Sequence, residues 1–105
     1  MRPRPDRTAV EARWLHLTRT VLPMVARERG FPIRADHCFQ RVFLDIATGG
    51  VWYDAIKGRP AYAHAQDAIL TEALRLAEAV LAGEVDLDRL NERSLGWRAA
   101  RKRAG

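Results

Sequence analysis

Gln66-Asp67-Ala68-Ile69-Leu70-Thr71-Glu72-Ala73-Leu74-Arg75-Leu76-Ala77-Glu78-Ala79-Val80-Leu81-Ala82 is the stretch whose reading decides the fold. Nearly every residue in it is a strong helix former. Ile69, Ala73, Leu76 and Val80 run beside Leu70, Leu74, Ala77 and Leu81 as two adjacent stripes at helical spacing. An apolar band this wide fits either a central helix packed on both sides or a helix that also serves a homodimer. Gly83 reads as its stop.

Working toward the N-terminus, Asp36 is a good N-cap for another helix, in which Phe39, Val42, Phe43 and Ile46 follow the pattern of a buried face. Gly49-Gly50 ends it. Val51 to Lys57 fits a short helix through Trp52, Ala55 and Ile56, and Gly58-Arg59-Pro60 is a turn. Thr8-Ala9-Val10-Glu11 has the form of a capping box, so the first helix is expected to start at Thr8. Val10, Trp14, Leu17, Val21 and Met24 then form its core stripe, with a kink or break at Pro23, because proline lacks an N–H and clashes with the carbonyl of Arg19. Helix is expected to about Arg29, with Gly30 as its stop. Toward the C-terminus, Asp86 or Asp88 can cap a last helix carrying Leu87, Leu90 and Trp97, fading into Arg98, Arg101, Lys102 and Arg103.

The fold class is therefore all-α: four main helices plus one short helix around a single core. Residues 1–105 form one domain, with flexible basic ends at about 1–7 and 99–105. Hydrophobic residues make up 48% and charged residues 30%, a globular balance rather than a disordered one. No apolar run is long enough to span a membrane or resemble a signal peptide. With Cys38 as the only cysteine no intrachain disulfide can form, so the cytoplasm is the expected compartment. The net charge of +5 is unevenly placed. Residues 1–35 hold eight Lys/Arg against three Asp/Glu, residues 36–83 four against six, and residues 84–105 six against four. That argues for two basic ends rather than a uniformly basic face.

Several groupings could carry chemistry. His37 and Cys38 are adjacent, but neighbouring side chains on a helix diverge by about 100°, which weighs against a thiolate pair. His16, His37, His64 and Cys38 lack the paired spacing of a metal site, so no metal and no cofactor is expected. On the polar side of the helix begun by Asp36, His37, Arg41 and Asp45 are spaced i, i+4, i+8 and are expected to line up opposite the apolar face. There Arg41 can present a planar fork of donors to a phosphate or carboxylate, with Asp45 orienting it, or the two can form a plain ion pair. Trp52, Tyr53, Arg59 and Tyr62 lie in a stretch of weak secondary-structure preference. They suit either a recognition surface or a structural clasp.

A resemblance runs through these residues. His37-Cys38-Phe39-Gln40-Arg41-Val42-Phe43-Leu44-Asp45, Gly49-Gly50-Val51-Trp52-Tyr53-Asp54, Arg59-Pro60-Ala61-Tyr62 and Leu90-Asn91-Glu92-Arg93-Ser94-Leu95-Gly96-Trp97-Arg98 resemble a group of small bacterial proteins often labelled as N-acetyltransferase relatives. The likeness covers about the last 70 residues. What it implies is acyl or acetyl transfer. The general N-acetyltransferase fold uses a mixed sheet and a Gln/Arg-x-x-Gly-x-Gly/Ala loop that cradles the coenzyme A pyrophosphate. Arg27 to Gly30 and Arg93 to Gly96 begin such a loop, but Phe31-Pro32 and Trp97-Arg98 do not complete it.

The expected function is a small helical recognition module for a protein or other acidic partner, without autonomous catalysis. It would be built on His37, Arg41, Asp45, Trp52, Tyr53, Arg59 and Tyr62. One alternative is a small-ligand binder or acyl/acetyltransferase that uses the same residues as two walls of a pocket. A second is nucleic-acid binding through the basic ends.

Overall fold

The structure, a computed structural model, describes the backbone of residues 5–104 and the side chains of 7–104. The chain is 79% helical, with no strand among the described residues. Helical backbone is continuous from Pro5 to Arg29, as α1 (Pro5–His16), a π-helical segment (Leu17–Val21) and α2 (Leu22–Arg29). Beyond them come α3 (Asp36–Thr48), the single turns α4 (Trp52–Ala55) and α5 (Ala61–His64), α6 (Asp67–Leu81) and α7 (Leu87–Ala104). These make four long helices and two single-turn ones, α5 being additional to the short helix expected. No helix of the described residues is long and apolar enough to cross a membrane.

Helix α6 is central: α1 and the π segment pack along it, and so does α3, which is itself backed by α7. Its double stripe is used accordingly. Leu70, Ala73, Leu76, Ala77 and Val80 are buried, while Ile69, Leu74 and Leu81 are partly buried against the same core. Across from α6, Trp14 meets Phe43 edge-on at 6.3 Å, Phe43 stacks on Phe39 at 6.4 Å, and Phe39 meets Phe31 edge-on at 6.4 Å. Offset and edge-on contacts of this kind add about 0.5–1.5 kcal/mol per pair beyond burial.

Three sequence expectations are corrected. Helix is already present from Pro5, so Thr8 lies inside α1, and Glu11 accepts from Arg7 Nε at 2.7 Å instead of reaching back to a cap. The same Arg7 donates to Asp67 and to the Tyr62 carbonyl, tying α1 to α5 and α6. Second, the disturbance expected at Pro23 takes the form of the π segment, which precedes it. The wider turn rotates α2 about its axis, so that Leu22 and Ala26 enter the core while Met24 stands 59% exposed. Buried Thr18 donates to the Trp14 carbonyl at 2.9 Å and accepts from Gln40, anchoring the segment to α3. Third, α7 does not fade after Trp97 but continues to Ala104. Its start is as read: Asp86 Oδ1 accepts from the Asp88 N–H at 2.9 Å, an N-cap bond. The expectation for residues 1–4 lies outside the described residues.

Candidate functional site

The polar side of α3 is where the sequence placed three of its seven candidates, and the structure turns two of them, Arg41 and Asp45, inward against α7. Asp45 is fully buried. Gly49, at φ +76°, closes α3 by returning its N–H to the Asp45 carbonyl, and Gly50 does the same. This reversal carries the start of α4 back over the Asp45 side chain. Oδ1 accepts from the Trp52 N–H at 2.9 Å, a donor left orphan at the start of α4, and from Arg98 Nη2 at 3.1 Å. Oδ2 accepts from Ser94 Oγ at 2.7 Å and Arg98 Nε at 2.8 Å. Four donors fill the carboxylate's acceptor capacity, which is how a charge can be held at this depth.

Arg41 lies one turn before Asp45, yet the two do not pair as i, i+4 spacing suggested. Its guanidinium reaches across to α7, donating to Ser94 Oγ at 2.7 Å and Asn91 Oδ1 at 2.8 Å. Ser94 therefore accepts from Arg41 while donating to Asp45. Asn91, Arg41, Ser94, Asp45 and Arg98 form one connected network that fixes the register of α7 on α3.

Outside this network runs a surface ladder of rings and guanidinium groups. Arg59 lies over Trp52 with its Cζ 5.4 Å from the ring centroid, and Trp52 meets Tyr53 edge-on at 5.5 Å. Tyr53 is flanked by Arg98 at 5.5 Å and Arg101 at 4.8 Å. Arg101 also grips Asp54, with Nη2 and Nε at 2.9 and 3.0 Å from the carboxylate. Hydrogen bonding from Arg101 holds the exposed Asp54 carboxyl below its ordinary pKa, despite some desolvation, and Asp54 in turn raises that of Arg101. Lys57 adds a further cation, donating to the Tyr53 carbonyl at 3.3 Å.

The seven sequence candidates thus separate. Arg41 and Asp45 are the interior of a clasp; Trp52, Tyr53 and Arg59 are brought together on its rim. His37 stands 82% exposed beside Asp36, two turns from Asp45. Tyr62 is half-buried in α5 and packs on the core, its carbonyl taken by Arg7. Asp45, with no exposed surface, does not join the rim residues in lining an open pocket. Surface depressions of about 420 and 260 Å³ lie elsewhere, the first lined by Arg75, Glu78 and Glu84 and the second by Arg29, Phe31 and Asp88 among others. Among the described residues no group of three or more His, Cys, Asp or Glu could hold a metal ion.

Sequence reasoning missed Asn91, Ser94, Arg98 and Arg101. Their spacing of three, four and three is the rule that marks apolar stripes, here written in polar residues. Comparison with protein-family models, with curated proteins and with solved structures finds no match.

Proposed function

We propose that the protein is a helical recognition module for an acidic segment of a partner protein, with Trp52, Tyr53 and Arg59 as its contact surface. The observation that carries this reading is the state of Arg59. Arg41, Arg98 and Arg101 each spend their donors on Asn91, Ser94, Asp45 or Asp54. Arg59 is exposed and rests on an indole, with no hydrogen-bond or ion-pair partner among the described residues. A guanidinium positioned over a ring with its N–H groups unpaired has donors to offer a carboxylate, and the ring contact reduces the freedom it loses on binding. Arg and Trp are also the residue types that dominate interface energetics. The clasp beneath gives the surface a rigid base, since Trp52 is fixed through its N–H to Asp45 and Tyr53 is flanked by α7 guanidinium groups.

The test is fluorescence anisotropy with a labelled Glu/Leu peptide. Arg59→Gln and Trp52→Ala should each weaken binding by about 2 kcal/mol, roughly 30-fold, while Arg75→Gln on the far side of α6 leaves it unchanged. Equal binding by the Arg59→Gln protein, or none by the native one, contradicts the reading.

A further inference from the structure

Helix α7 has an outward face that the clasp does not use. Leu87, Leu90, Asn91 and Ser94 are buried on its inner side. At 100° per residue, Arg89, Arg93, Gly96, Ala100 and Arg103 fall in a sector about 80° wide on the opposite side, and all five are exposed. The cations of this sector are little neutralised. Among the described residues Arg89 has only Asp86, at 3.9 Å and with both side chains exposed; Arg93 lies on the Trp97 ring at 5.2 Å; Arg103 and its neighbour Lys102 have no hydrogen-bond or ion-pair partner there. Arg98 and Arg101, on the inner side, are by contrast spent on Asp45 and Asp54.

We propose that this face docks the phosphate backbone of duplex DNA, with Arg89, Arg93 and Arg103 as the phosphate contacts. The three cations lie along about 21 Å of helix, at 1.5 Å per residue. A straight row of positive charge is complementary in sign and shape to a rod-like polymer that carries one negative charge per about 1.7 Å of its axis. Between them Gly96 and Ala100 carry no long side chain, and the space a Cβ would take at Gly96 is open, so the helix can approach a groove edge closely. Arg93 is steadied by its ring contact. A second copy of the chain is disfavoured as occupant, because pairing this face with itself would set Arg against Arg. Exposed Glu92, at the margin of the sector, opposes a polyanion and serves as an internal probe. This surface is separate from the Trp52–Arg59 rim and stands or falls independently of it.

The experiment is anisotropy of the full chain with a labelled duplex of generic sequence, over a series of salt concentrations. The native protein should bind, and its log affinity should fall steeply with log salt. Replacing Arg89, Arg93 and Arg103 together by Gln should lower the slope by about 2.7, from about 0.9 per phosphate contact, with helical dichroism unchanged. Glu92→Gln should tighten binding severalfold, a gain that a folding defect cannot mimic, and Arg59→Gln should leave it unaltered. No binding at low salt, an unchanged slope in the triple variant, or no gain from Glu92→Gln would overturn the proposal. So would competition by polyglutamate as effective as that of unlabelled duplex, which would make the face a general acidic-peptide surface.

Discussion

Asp45 shows how much of this molecule rests on single side chains. Its carboxylate, carried on α3, is bonded by donors of α4 and α7: the Trp52 N–H, the Ser94 hydroxyl and two groups of Arg98. Asn at this position would remove the counter-charge of Arg98 and set an NH2 group against existing donors. Asp45→Asn is therefore expected to destabilise by about 3–5 kcal/mol, the usual result of breaking a buried pair from one side; urea denaturation measures it, and a change within about 0.5 kcal/mol, the scatter of neutral surface changes, would contradict the account. The exposed partner pair behaves differently. Because Arg101 depresses the Asp54 pKa in the folded state, the pair's contribution is present above the unfolded carboxyl pKa and is lost as pH falls through the lowered folded value. An NMR titration of Asp54 should give a midpoint below that of an unstructured peptide, and Arg101→Gln should raise it; an unmoved midpoint would mean that the pair does not persist in solution. These partners were not legible in the sequence. Arg41 and Asp45 look like a local i, i+4 pair, but their partners on α7 lie about 50 positions away, a separation on which helical periodicity is silent.

At the scale of elements, the apolar stripes of α3 and α6 were legible because a 3.6-residue period survives intact within each. It failed where the period itself changes. Through Leu17–Val21 the backbone is π-helical, so a stripe counted at α-helical spacing from Trp14 arrives at Met24, whereas the core receives Leu22 and Ala26. Leu22→Ala should therefore cost about 2–5 kcal/mol, while Met24→Ala should stay within about 0.5 kcal/mol. Thermal denaturation of the two variants decides this, and equal losses would restore an uninterrupted α-helical register. Helix α7 was under-read for a different reason. It faces α3 and α4 with Asn91, Ser94, Arg98 and Arg101, so a search for apolar residues sees the helix end at Trp97, although polar pairing carries the packing face onward.

For the molecule as a whole, the all-α class followed from composition and period, whereas the division of the candidates into an inner clasp and an outer rim needed the path of the chain. The reversal at Gly49-Gly50 decides that division, because it lays Trp52 on Asp45 and leaves Arg59 outside. The rim has its own reporters. Trp14 is buried with its indole N–H unpartnered among the described residues, Trp52 lies under Arg59, and Trp97 lies under Arg93 on the far face of α7. The most direct test of acidic-partner recognition is to follow the three indole N–H signals by NMR while an acidic Glu/Leu peptide is added. Trp52 should shift saturably together with the Arg59 Nε–H signal, while Trp14 and Trp97 stay in place; a shift confined to Trp97, or three signals that do not move, would contradict the assignment of the rim as the binding surface.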